Sequence, residues 1–163
     1  MKKISSIIIS IIALHFIYAC AGYKPIYTSD LNFEITNYEL KTNKKLGKII
    51  YYKLYNLSNS NKNDDSAQSI TLTIDVAKNK TATVKDTTGK ILEYRIVITS
   101  NILIKDYLTN EKILSQTFSD SSAFKVQDQY SETIKLETKS TENIINTMFQ
   151  DLLIKMSEKM LQQ

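Results

Sequence analysis

The feature that most constrains the fold is a two-residue alternation of apolar and polar side chains over residues 69–105, interrupted once. The apolar positions of its first half are Ile70, Leu72, Ile74 and Val76. Because successive side chains of a strand point to opposite faces, this spacing predicts a half-buried strand that continues through Val84. We expect a bulge in the lysine stretch 78–80. Turn residues at 86–89, where Gly89 can adopt a positive φ, predict a hairpin.

The alternation resumes after that turn and predicts a second long strand over residues 91–105. Its apolar positions keep one parity: Leu92, Tyr94, Ile96, Ile98, Ile102 and Ile104. Thr109 and Asn110 suggest a second turn, and residues 112–126 predict a third long strand. Its inward side chains are Leu114, Phe118 and Phe124. These three strands form an antiparallel meander, and alternation at Leu31, Phe33 and Ile35 predicts a short strand before them.

Two segments carry the helical period instead. Apolar residues spaced by three and four predict a helix over residues 44–57, with Thr42 or Asn43 as its cap. The lysines on its other side indicate a solvated face or a contact with anionic lipid. A second apolar stripe, which ends at Met160, predicts a long C-terminal helix. That helix starts near Asp128, or it is capped later by Thr138 or Ser140.

The predicted fold is an α+β two-layer sandwich in which two helices pack on a mostly antiparallel sheet of about four strands with long hairpins. A fifteen-residue strand spans ~50 Å at about 3.3 Å per residue. A compact domain of this size has a radius of gyration near ~15 Å. The hairpins therefore either protrude toward a partner that covers them, or bend around the helices.

The N-terminal 19 residues have the pattern of a lipoprotein signal peptide. Lys2 and Lys3 precede a short apolar run, and Ala19 stands directly before Cys20, the only cysteine. The sixteen residues from 4 to 19 fall short of the ~20 that a spanning helix needs, although an uncleaved anchor is the alternative interpretation. Cleavage would leave a single domain over residues 20–163, attached to lipid through Cys20.

The composition of that domain argues against catalysis. His15, the only histidine, and Cys20 are both unavailable there, so we expect no metal site, no cofactor and no thiol nucleophile. Three glycines are too few for a phosphate-binding loop. The adjacent carboxylates Asp64 and Asp65 lie in a run of polar residues typical of a solvated loop. A net charge of about +2 after cleavage gives no reason to expect nucleic acid.

The chain resembles the LptE family of lipopolysaccharide-assembly lipoproteins. The resemblance rests on the start at 20–27 (CAGYKPIY), on Thr81–Val84 followed by Glu93–Ile96, and on Tyr130 before the last helix. It implies an outer-membrane lipoprotein on the periplasmic side, without enzymatic activity, that plugs the LptD β-barrel and helps deliver lipopolysaccharide to the outer leaflet. It places lipopolysaccharide contact near the first hairpin turn, where Lys85 and Lys90 are the basic residues.

Two other functions remain open from the sequence. One is an outer-membrane or periplasmic scaffold lipoprotein that binds protein partners without transporting lipopolysaccharide. The other is a periplasmic domain held by its uncleaved N-terminal anchor. Co-purification with a β-barrel would distinguish the LptE-like function from both, and the intact mass would identify an uncleaved anchor.

Overall fold

The computed structural model describes residues 31–59 and 67–160, which form a four-stranded sheet with two helices on one face. The elements are β1 (Phe33–Thr42), α1 (Lys44–Asn59), β2 (Gln68–Lys85), β3 (Ile91–Asp106), β4 (Lys112–Lys125) and α2 (Tyr130–Met160). The strands are ordered β1-β2-β3-β4; β1 runs parallel to β2 and the other neighbours are antiparallel. The predicted α+β class and the meander are confirmed.

The segment from β1 to β2 is a strand–helix–strand unit. Parallel neighbours need a crossover connection, and α1 supplies it. Asn43 caps α1, because its Oδ1 atom accepts a hydrogen bond from the Leu46 amide at 3.2 Å. The other proposed cap, Thr42, instead ends β1 with a φ of 50° and donates its hydroxyl to Asp75 Oδ1 at 2.6 Å.

β1 is longer than the short strand predicted from residues 31–35. A register shift between Ile35 and Asn37 places one extra residue in the strand, so the side chains that face the helices change from odd to even numbers. Tyr38 and Leu40 pair with Leu72 and Ile74 on that face. A prediction based on unbroken alternation therefore stops at the bulge.

The core lies between the helices and one end of the sheet. Its sheet side chains include Ile70, Leu72, Ile74, Val76, Ile96, Ile98, Ile102, Ile104, Leu114, Phe118 and Phe124. Its helix side chains are Leu46, Ile50, Leu54, Ile144, Ile145, Met148, Leu152, Leu153 and Met156. Burying each such side chain contributes about 1.5–3 kcal/mol. α2 begins at Tyr130, near the earlier of the two predicted starts, and Thr138 donates to the Ile134 carbonyl inside the helix at 3.0 Å.

The end of the β2–β3 hairpin projects beyond this core, so this hairpin protrudes and does not bend around the helices. β1 pairs with β2 only as far as Val76, and most of the residues over 77–85 are exposed. The predicted bulge at 78–80 is wrong, since the register shifts lie between Ala82 and Lys85. The same irregularity leaves Leu92 without a register partner in β2 and 41% exposed, although its parity predicted burial.

Candidate functional site

The two lysines expected to contact lipopolysaccharide lie at the tip of the β2–β3 hairpin. Asp86 Oδ1 accepts hydrogen bonds from the Thr88 hydroxyl at 2.7 Å and from the Thr88 and Lys90 amides at 2.9 Å each. The Thr88 hydroxyl, followed by these amides, holds the pKa of Asp86 below its ordinary value. Gly89 completes the turn with a φ of 88°. The backbone of the tip is thus well defined, while Lys85 and Lys90 are exposed.

Lys85 and Lys90 have different surroundings in the structure. Lys90 lines a cleft of about 420 Å³ between the hairpin and the start of α2, and Lys85 does not. The cleft is also lined by Lys80, Gly89, Ile91, Tyr94, Val126, Gln127, Asp128, Tyr130, Thr133 and Ile134. Two lysines and one aspartate, Asp128, therefore stand beside aromatic and aliphatic walls and give the lining a net charge of about +1. Such a lining suits a ligand that combines an anionic group with an apolar portion.

Lys80 also belongs to a cluster of three charged residues whose other two members, Lys78 and Glu137, line a neighbouring cleft. Lys78 Nζ lies 2.7 Å from one carboxylate oxygen of Glu137, and Lys80 Nζ lies 2.6 Å from the other. The hydrogen bonds from Lys78 and then from Lys80 hold the pKa of Glu137 below its ordinary value. Lys80 Nζ also lies 4.3 Å from the centroid of the Tyr94 ring, within cation–π range. Because two lysines share one carboxylate, the cluster retains a net charge of +1.

A second cleft, of about 480 Å³, lies between the two helices. It shares Ile134 with the first cleft and is lined by both Lys78 and Glu137. Lys45 and Glu142 add one charge of each sign to its wall, so the charges there balance. The cleft beneath the hairpin is therefore the cationic one.

The sheet face opposite the helices is mostly polar, with Val97 and Leu103 as its apolar members in β3, and no element of the described chain covers it. Its side chains include Thr71, Thr73, Thr81, Thr99, Asn101, Ser115, Thr117, Ser119 and Ser121. Neighbouring strands are joined across it, because Thr99 and Ser119 share a hydrogen bond of 3.2 Å and Thr117 donates to Asn101 at 2.7 Å. The outer edges of β1 and β4 also lack a partner strand within the described residues. This face offers hydroxyl and amide groups to whatever lies against it.

Sequence reasoning missed the cluster around Glu137. Lys78 and Lys80 have the same parity as Ile70 to Val76, which places them on the helix-facing side of β2. Two lysines in core-facing positions are a detectable signal for an ionic partner on the covering helix. The sequence does not identify that partner, since Glu137 is 57 residues beyond Lys80.

Several predicted features fall outside the described residues, among them Cys20, the signal peptide and the loop that holds Asp64 and Asp65. Within the part of the chain that the structure describes, no group of three or more acidic, histidine or cysteine side chains is placed to hold a metal ion. Neither of the described helices is long and apolar enough to cross a bilayer.

Comparison with known proteins identifies the fold. No protein-family model and no curated protein sequence matches the chain. Lipoprotein B from Nitrosomonas europaea is similar in structure, with a TM-score of 0.57 and 14% identity over 78% of this chain and 84% of that one. A minor lipoprotein from Acinetobacter baumannii has a TM-score of 0.55 and 17% identity over 78% and 93% of the two chains. The chain therefore has the fold of these two bacterial lipoproteins.

Proposed function

We propose that this chain is an outer-membrane lipoprotein of the LptE type, anchored through Cys20 on the periplasmic side. It plugs the LptD β-barrel and takes part in the delivery of lipopolysaccharide to the outer leaflet. The fold shared with solved lipoproteins supports the anchored state, and the resemblance at residues 20–27 supports the family. This function requires no catalytic group, in keeping with the composition of the domain.

The uncovered polar face of the sheet is the observation that most supports a β-barrel as the partner. A barrel large enough to hold a domain has a polar interior, so hydroxyl and amide groups are suitable neighbours for its wall. Open strand edges on both sides of this face also favour enclosure, because exposed edges otherwise invite pairing between copies of the chain. When the domain plugs a barrel, the barrel wall covers both this face and these edges.

The cationic cleft supports the lipopolysaccharide part of the proposal. Lys90 and Lys80 stand beside apolar walls, and lipid A joins phosphate groups to acyl chains. Charge-assisted hydrogen bonds from the ammonium groups would hold a phosphate, with the acyl portion against the aromatic rings. Lys85 lies outside the cleft and has a lesser role in this arrangement.

Affinity capture from detergent-solubilised outer membranes tests the barrel partner. Ser119→Arg places a charge midway along β4 on the uncovered face, and we expect it to reduce recovery of the barrel at least tenfold. Gln150→Arg adds the same charge on the exposed side of α2 and should leave recovery unchanged. Both substitutions are at exposed positions and are expected to leave the fold intact.

The result also distinguishes the scaffold alternative. Capture of another envelope protein in place of the barrel, unaffected by Ser119→Arg, would favour a scaffold lipoprotein without a transport role. Equal barrel recovery by both variants would show that the polar face does not contact the barrel.

A further inference from the structure

The exposed side of α1 is composed largely of lysine and tyrosine. At about 100° per residue, Lys44, Lys45, Lys48, Tyr52 and Tyr55 fall within an arc of about 100° around the helix axis. All five side chains are exposed. α1 contains no aspartate or glutamate at any position, so the charge of this surface, the lysine–tyrosine face, has one sign.

The tyrosines of this face contact the Tyr51 ring, Tyr55 by stacking and Tyr52 in a tilted arrangement. The Tyr38 ring from β1 lies against Tyr51 with centroids 4.1 Å apart, and Tyr55 follows Tyr51 at 5.7 Å. Tyr52 lies 5.3 Å from Tyr51 and is 55% exposed. Tyrosine combines an apolar ring with a polar tip, and it is enriched where one side of a surface is wet and the other apolar.

The positions of the lysines are unfavourable for the helix itself. Among the described residues no ion pair includes Lys44, Lys45 or Lys48. The ion pair between Lys41 and Glu39 lies on the opposite side of β1. Lys44 and Lys45 occupy the first turn, where the helix dipole favours acidic side chains. Basic residues at the start of a helix go against this preference, and such departures from local preference are typical of functional surfaces.

We propose that the lysine–tyrosine face docks on the headgroups of an anionic phospholipid bilayer. The ammonium groups would meet lipid phosphates, while the tyrosine rings lie at the level of the headgroups. A protein partner is less well matched, because lysine is depleted in protein interfaces whereas basic and aromatic residues together are characteristic of membrane-surface helices. This contact requires neither the barrel nor lipopolysaccharide, and it therefore goes beyond the proposed function.

Lysine labelling of the full chain on vesicles tests the docking. Reductive methylation is followed by mass spectrometry on vesicles that contain phosphatidylglycerol and on vesicles of phosphatidylcholine alone. On the anionic vesicles we expect the labelling rates of Lys44, Lys45 and Lys48 to fall by about fivefold or more. Lys139 and Lys159, exposed on α2, serve as internal controls and should react equally on both. The protection should weaken as salt rises.

Substitution of the rings provides a second test. Tyr52→Ser/Tyr55→Ser should restore labelling on anionic vesicles, while Tyr107→Ser, which alters an exposed tyrosine outside α1, should not. Equal labelling of the α1 and α2 lysines on anionic vesicles would overturn the proposal. Protection that appears only after a barrel protein is added would also overturn it, in favour of a protein interface. Because the vesicles contain no barrel, failure here leaves the plug proposal untouched.

Discussion

Lys85 and Lys90 flank the same hairpin turn but have different surroundings. The Lys90 amide is bound by Asp86, and its side chain lines the cationic cleft beside Tyr94. Lys85 pairs with Ile91 at the end of β2 and lies outside that cleft. At the scale of single residues, equal charge therefore does not imply an equal role.

This difference leads to a prediction for lipopolysaccharide binding. Lys90→Glu replaces attraction by repulsion in the cleft and should weaken binding about tenfold or more, whereas Lys85→Glu should change it less than threefold, in line with the cost of losing one charge-assisted contact. Binding to purified lipopolysaccharide at low and high salt provides the measurement. Equal losses in the two variants would mean that the exposed tip, and not the cleft, makes the contact. Both variants should retain the parental thermal stability.

A second residue-scale prediction concerns Glu137. Its ordinary pKa is 4.5, and Lys78 and Lys80 lower it in the folded state, so its contribution to stability is present above pH 4.5 and is lost as the pH falls through the lowered value. Glu137→Gln should cost about 1–2 kcal/mol at neutral pH. Urea denaturation should show that this deficit shrinks well below pH 4.5. Glu142→Gln, at an exposed position of α2, is the control, and a deficit independent of pH would contradict the ionic interpretation.

At the scale of elements, α1 approaches the sheet closely at Gly47. A Cβ atom built there lies 3.4 Å from the Leu40 Cδ2 atom and 3.8 Å from the Ile74 Cγ2 atom, both ordinary contact distances. The site therefore has room for one methyl group and no more. Glycine inside a helix is unfavourable because it loses more conformational freedom on folding than alanine does.

Gly47→Ala should accordingly raise the free energy of unfolding by about 0.5–1 kcal/mol. Gly47→Leu should lower it by about 1–3 kcal/mol, because the larger side chain must displace Leu40 or Ile74. Urea titrations of both variants give these differences directly. A loss of stability with alanine would indicate that the approach of α1 to β1 is tighter than the contact distances suggest.

The elements also show what the sequence could and could not reveal. The β2–β3 hairpin was predictable because its apolar residues keep one parity and its turn contains Asp86 and Gly89. β1 was cut short because the bulge after Ile35 reverses the parity. The start of α2 remained open because its first turns, including the 78%-exposed Tyr130, carry little of the helical apolar period. The Glu137 cluster depends on packing between distant segments, which no local pattern encodes.

At the scale of the whole molecule, the chain has two unlike ends. Apolar side chains of both helices and all four strands fill one end, while the other is the projecting hairpin with its lysines and unpaired β2 edge. Local opening free energies are lowest where few apolar contacts are buried. Among the strands, amide exchange should therefore be faster over residues 77–85 than in the segments that form the core.

The anchor is also a property of the whole molecule. We predict that Cys20→Ser leaves the domain folded, because the core contains no cysteine, but removes it from the membrane fraction because no acyl chain can be attached. Fractionation, with the intact mass of the parent as a check on cleavage after residue 19, provides the measurement. A serine variant that is processed and localised like the parent would show that lipid attachment at this residue is not the anchor.

The ring cluster of Tyr38, Tyr51, Tyr52 and Tyr55 has an optical consequence. The chain has no tryptophan and ten tyrosines, so four coupled rings on one side of the molecule should dominate its near-ultraviolet circular dichroism. The near-ultraviolet signal reports the packing of α1 on β1, whereas the far-ultraviolet signal reports the secondary structure of the sheet and helices together. Melting curves recorded in the two spectral regions would then reveal, without any label, whether the strand–helix–strand unit separates before the meander does.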